Sequence, residues 1–264
     1  MTVIYRNVKS KQNCVALQHD LAQLELWEDS WCMSFNADKC STIAIARKKK
    51  KLNFPYTLHH QVLERVDSAT YLGVELSNDL TWARHINKTA MKANRQLAFL
   101  KRNIPIQNQK LKEVAYKGLV RPVLEYCSPV WDPHHKKYIR LLEMVQRRAA
   151  RFVLGRYSNT SSVTDMLHHL QWETLEQRRS VACLVTFYKV QNSLVAVSLP
   201  HFVVRPERPR PGHPHQFQLP FCATEAYRNS FFPKAIRLWN ALPVSIACQS
   251  SLPLFKTALS SHSF

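Results

Sequence analysis

Arg84-His-Ile86-Asn-Lys88-Thr-Ala90-Met-Lys92-Ala93-Asn-Arg95-Gln-Leu97-Ala-Phe-Leu100-Lys101-Arg102-Asn-Ile104 sets the architecture of this chain. Ile86, Ala90, Ala93, Leu97, Leu100 and Ile104 return every three or four residues, the spacing of a single helix face. At about 100° per residue, Arg84, Lys88, Arg95 and Arg102 fall on the opposite face. The segment contains no Asp or Glu. A solvated helix face ordinarily mixes Glu with Lys, because pairs four residues apart stabilise the helix. The spacing therefore predicts a helix that buries one face and offers a purely cationic one, ending over Asn103–Pro105.

The same design returns downstream. From His134 to Leu154, Leu142, Val145, Ala149, Phe152 and Val153 gather on one side, with Ile139 at its margin. Lys136, Arg140, Arg147 and Arg151 line the other side, and Gly155 is placed to stop the helix. From His134 to Arg156 seven Lys or Arg residues face the single acid Glu143. Between the two helices, a further helix over Gln107–Leu119 should bend or stop at Arg121-Pro122. Two more helices are expected over Ser162–Leu170 and Thr174–Ser193, and a short amphipathic one over Phe231–Leu242, around Ile236 and Trp239.

The N-terminal part reads differently. Thr2-Val3-Ile4-Tyr5 has the pattern of a buried strand. Leu17, Leu21, Leu24, Trp27 and Trp31 predict a helix ending near Phe35-Asn36. Ser41–Ala46 and Ser68–Ser77 are strand-like. The fold class implied is α+β in residues 1–80, then a basic helical region over 81–156 and further helices over 157–204. A proline-rich linker spans 205–220, and a C-terminal extension covers 221–264.

Composition agrees. Four glycines in 264 residues disfavour sandwiches and barrels and leave no Gly-rich phosphate loop. Seven scattered cysteines (14, 32, 40, 127, 183, 222 and 248), none in CxxC spacing, point to a reducing compartment. No apolar run reaches the roughly 20 residues of a membrane span. Residues 84–156 carry seventeen basic and four acidic side chains, so most of the net charge of +19 sits there. A local positive field of that kind suits a polyanionic partner, held through phosphates with little sequence preference.

Other motifs carry less. The Arg47–Lys51 run fits a nuclear-import signal, a phosphate contact or the solvated tip of a hairpin. Cys127 with His134-His135, and His168-His169, are crowded but lack a zinc-finger spacing. No nucleophile elbow singles out a Ser, His and Asp set. Trp27, Trp31, Trp131, Trp172 and Trp239 sit in apolar or turn contexts and read as core anchors.

The order of several segments resembles the reverse transcriptase of non-LTR (LINE-type) retrotransposons, especially the jockey and chicken-repeat-like groups. They are Thr2-Val3-Ile4-Tyr5; Leu21-Ala-Gln-Leu24 to Trp27 and Trp31; Met33-Ser-Phe-Asn36-Ala-Asp-Lys39-Cys40; Tyr71-Leu-Gly-Val74; Leu80-Thr-Trp82 with His85-Ile86; Tyr116 to Trp131; and Phe231 to Pro243. The resemblance implies the end of a polymerase palm, a mainly helical thumb and a C-terminal extension. It implies that Lys39 matches a general acid for departing pyrophosphate, and that Tyr71-Leu72-Gly73 is a primer-grip hairpin. Lys39 equally fits a lysine that merely ends a helix, and Gly73 equally fits a bulge in a plain strand.

In that family two adjacent aspartates directly precede the strand matching Thr2–Tyr5, and a third lies further upstream, together holding catalytic Mg²⁺. Met1 stands at the pair's position, and Asp20, Asp29, Asp38, Asp67 and Asp79 match none of the motif positions. The expectation is a chain without polymerase activity of its own and without a cofactor, intracellular and open to a nuclear location. It would retain a surface for an RNA/DNA template–primer or other duplex. A palm cut at its central hairpin would leave residues 1–80 with an exposed strand edge. Two other readings share the basic surface: a co-opted non-catalytic nucleic-acid-binding module, and a basic helical scaffold for an acidic protein partner.

Overall fold

The computed structural model describes residues 3–46, 52–104, 108–158, 160–206 and 212–262. It divides into two units, Met1–His85 and Ile86–Phe264.

In the first unit, α1 (Lys11–Trp31) starts behind Ser10, where a capping box with Asn13 closes the first turn. It ends at Cys32, which takes a left-handed conformation (φ 50°) and donates its amide to the Glu28 carbonyl. The helix therefore begins earlier and stops sooner than the leucine spacing suggested. Its apolar stripe is only partly covered: Trp27 is 40% and Trp31 65% exposed, and these two rings pack on each other and on Phe35. The expectation of core roles for both tryptophans is corrected accordingly. The N-terminal strand is corrected as well. Val3 to Tyr5 has no regular structure, and Val3 and Tyr5 are exposed, while Thr2 lies outside the described residues.

Three separate two-stranded ladders complete this unit. β1 (Ser41–Thr42) runs parallel to β4 (Glu64–Arg65). β2 (Thr57–Leu58) and β3 (Gln61–Val62) form a hairpin turned at His59-His60, both with positive φ. β5 (Ser68–Tyr71) and β6 (Val74–Ser77) pair antiparallel, Ser68 with Ser77 through Tyr71 with Val74. The strand-like stretch Ser68–Ser77 is thus a hairpin. Leu72 (φ 46°) and Gly73 (φ 80°) form its two-residue turn, the geometry whose twist matches that of the strands.

The second unit is helical. α2 (Ala83–Asn103) runs across the division between units and buries Ile86, Ala90, Ala93, Leu97 and Leu100, the face expected. α3 (Gln109–Ala115) is capped by the Asn108 side chain, which accepts the Leu111 amide. It passes into one wide π turn, Tyr116–Val120, then α4 (Arg121–Glu125). Pro122 explains the wide turn. A proline there has no N–H for the carbonyl four residues back, and the register shift moves the Arg121 amide onto Tyr116 O instead. The Arg121-Pro122 step thus widens one turn without stopping the helix.

α5 (Ser128–Trp131) precedes α6 (Lys136–Leu154), which ends on Gly155 at φ 66° as the sequence implies. α7 (Val163–His169) and α8 (Leu175–Gln191) are capped by Ser162 and Thr174, whose hydroxyls accept amides three residues on.

Two buried arrangements fix these helices. The Tyr116 hydroxyl donates to Gln146 Oε1 (3.0 Å), and Gln146 Nε2 donates to the Glu173 carbonyl (2.8 Å). The Tyr116 ring stacks on Trp172 at 4.5 Å. The second arrangement is the C-terminal core. There α8 packs against α10 (Phe231–Asn240), α11 (Val244–Ala247) and α12 (Leu252–Ser260), after the short α9 (Glu225–Arg228). Trp239 is its centre, ringed by Phe187, Tyr188 and Phe255.

The segment after the proline-rich stretch joins this core. His213 and Phe217 are buried, His213 Nε2 lies 2.9 Å from Trp239 O, and Arg205 sits over the Phe217 ring. Residues 207–211 lie outside the described residues.

Candidate nucleic-acid interface

The four acids of residues 84–156 decide what the basic helices present, and each is turned to a partner of its own. Glu113 pairs with Lys117 and accepts from Trp172 Nε1; the lysine holds its carboxyl below the ordinary glutamate range. Glu125 receives the Arg178 guanidinium from α8. Asp132 joins Arg179 of α8 and Lys234 of α10. Glu143, the acid of α6, accepts the Glu176 amide at the start of α8 (2.9 Å), where the helix dipole favours a carboxylate. Burial nonetheless pushes its pKa up.

The charged side chains of α2 itself are all basic, and Glu143 is the one acid of α6. Arg95, Arg102, Lys136 and Arg140 are exposed, Arg147 is half-buried, and none makes an ion pair among the described residues. The two helices meet at one polar contact, where Arg148 Nη1 of α6 donates to Asn94 Oδ1 of α2 at 3.0 Å. Burial, and the nearby Arg148 guanidinium, hold the Lys101 amine below the ordinary lysine value. Like charges brought together with no carboxylate between them concentrate positive potential, the arrangement that attracts a polyanion.

The site residues expected from sequence divide three ways. Lys88, Arg95 and Arg102 on α2, and Lys136 and Arg140 on α6, are exposed, as the periodicity implied, while Arg147 on α6 is half-buried. Arg151 is half-buried, with its Nε enclosed and unpartnered. Arg84 is exposed, and its Nη1 donates to Ser68 Oγ at 3.1 Å. Tyr71, Leu72 and Gly73 form the end of the β5–β6 hairpin, with Leu72 60% exposed. Lys39 closes a short 3-10 turn, Ala37–Lys39, on the surface. The run 47–51 lies outside the described residues.

Periodicity alone passed over Lys92, Lys101, Lys137 and Arg148. Lys92 is four residues from Lys88 and could have been found by counting; Lys101 and Arg148 meet only through tertiary packing.

Two other places do not make a site. A cleft of about 130 Å³ is lined by Lys117, Arg121, Gln146, Trp172, Glu173 and Arg178. Its cations are already neutralised by Glu113, Glu125 and Glu173, so it offers an anion little. For metal, no three His, Cys, Asp or Glu side chains gather among the described residues. Asp20, Asp38, Asp67 and Asp79 accept from Arg6, Gln61, Asn78 and Ser77.

The chain is similar in sequence to RNA-directed DNA polymerases of non-LTR retrotransposons. It is 26% identical over 147 residues to the RNA-directed DNA polymerase from mobile element jockey of Drosophila melanogaster, a match covering 53% of this chain and 15% of that protein. It is 22% identical over 181 residues to the probable RNA-directed DNA polymerase from transposon BS of the same species, covering 67% and 19%. The jockey protein of Drosophila funebris is 25% identical over 159 residues, covering 56% and 17%. Each match spans less than a fifth of the relative's length. No family model matches the chain, and no solved structure matches it. No helix among the described residues is long and apolar enough to cross a membrane.

Proposed function

We propose that this chain, as a relative of retrotransposon RNA-directed DNA polymerases, is a fragment of such an enzyme that holds nucleic acid on α2 and α6 without carrying the catalytic carboxylates. The observation that carries the reading is the segregation of charge in residues 84–156. Glu113, Glu125, Asp132 and Glu143 have partners of their own, and among the described residues Arg95, Arg102, Lys136, Arg140 and Arg147 have no carboxylate. On this reading α2 and α6 act as the thumb against an RNA–DNA template–primer. The Tyr71–Gly73 turn is the primer-grip hairpin, and Lys39 stands where the pyrophosphate acid would be. On this reading the chain carries no metal step of its own.

The test is a titration of a fluorescent RNA–DNA hybrid by anisotropy over about 50 to 200 mM salt. With four arginines on phosphates, log affinity falls against log salt with a slope of about −3 to −4. Scrambling the hybrid's sequence changes affinity little, because phosphate contacts position without reading bases. Salt-independent binding, or none, would defeat the proposal.

A further inference from the structure

The outward face of α2 is not only charged. Met91, Arg95, Phe99 and Arg102 follow one another at intervals of four, four and three residues, one ridge about 16 Å long. Met91 is 61% and Phe99 54% exposed. The Phe99 ring has no aromatic or cationic partner among the described residues. Close to the C-terminal end of the ridge, Tyr157 is 59% exposed, with Lys101 Nζ 5.9 Å from its ring centre. A large apolar side chain alone on a surface is ordinary. Here two such side chains alternate with arginines that lack carboxylate partners among the described residues.

We propose that this ridge binds an unpaired nucleic-acid strand, with a base stacked on Phe99 and the flanking phosphates on Arg95 and Arg102. The proposal rests on the nucleic-acid reading of α2 and α6 and adds an unpaired strand, held by the Phe99 ridge, to the duplex that this face holds. A duplex hides its base faces and turns sugar and phosphate outward, so Phe99 would gain nothing from it. An unpaired strand presents base faces at the spacing of its phosphates. A cationic track with interleaved aromatics is the arrangement that holds it, whatever its sequence. An acidic peptide would satisfy the arginines and leave Phe99 bare.

The test compares the full chain with a labelled oligouridine of roughly twelve nucleotides, within the site sizes such surfaces cover, and a blunt RNA–DNA hybrid of equal length. Phe99→Ala weakens oligouridine binding about tenfold and changes hybrid binding less than about twofold, while Phe99→Trp retains it. Arg95→Ala weakens both. Phe99→Ala affecting both probes equally, or neither, overturns the stacking proposal and leaves the interface standing. Arg95→Ala affecting neither overturns the interface reading, and the stacking proposal with it. Circular dichroism of the variants matching the parent chain excludes loss of fold, since Phe99 is exposed.

Discussion

The double variant Arg95→Glu, Arg140→Glu loses on the order of a thousandfold in affinity for an RNA–DNA hybrid at about 0.1 M salt. At that concentration each phosphate contact contributes roughly eightfold through counterion release, and two reversals swing the charge by four. Both side chains are exposed and neither has an ion pair to lose among the described residues, so the variant folds normally. The control, Arg228→Glu with Lys256→Glu, makes the same change in net charge on α9 and α12, both at exposed positions. Anisotropy titrations of both variants separate a local face from a diffuse field. A control as damaging as the α2–α6 variant would mean that net charge, not this face, does the binding. Unchanged hybrid affinity in the α2–α6 variant would favour an acidic protein as the partner of this surface.

Replacing Asp132 by Ala destabilises the chain by about 3–5 kcal/mol, because it strands a buried cation. The Arg179 side chain is fully enclosed, and its Nε donates to Asp132 Oδ1 at 2.8 Å. Its two terminal nitrogens have no hydrogen-bond partner, so this single carboxylate contact compensates most of its desolvation. The same carboxylate holds Lys234, joining α5, α8 and α10 at one point. In thermal unfolding the midpoint should fall by roughly 10 °C, at about 2–4 °C per kcal/mol for a chain of this size. Arg179→Met, which removes the charge that needs compensation, should cost much less. Asp165→Ala, on the exposed first turn of α7, is the reference and should cost below about 1 kcal/mol. If Asp132→Ala melts with that reference, the triad contributes nothing to the fold.

Much of the second unit was legible from sequence because its helices carry their burial pattern locally. Ile86 through Leu100, and Leu142 through Val153, repeat at 3.6 residues, and Gly155, Ser162 and Thr174 mark ends by their own backbone and side-chain chemistry. The first unit was less legible. Its ladders are two to four residues long, too short for alternation to register, and two turns place His59, His60 and Leu72 at positive φ, where neither residue type announces a turn.

The cationic face was visible as a count of charges, but the reason it stays cationic was not. Asp132 meets Lys234 from 102 residues away, and Glu125 meets Arg178 from 53. Only tertiary packing shows that the acids are already engaged. Arg147 and Arg151 show the converse: helical phase put them on the basic face, and packing half-buried both.

The central claim is that nucleic acid sits on the outward faces of α2 and α6, and an arginine footprint tests it most directly. The full chain is treated with phenylglyoxal, alone and saturated with an RNA–DNA hybrid, and each modified arginine is quantified by mass spectrometry. The account predicts protection of Arg95, Arg102, Arg140 and Arg147, while exposed Arg65 and Arg228 react as before. Protection spread evenly over all arginines, or confined to Arg65 and Arg228, would contradict it.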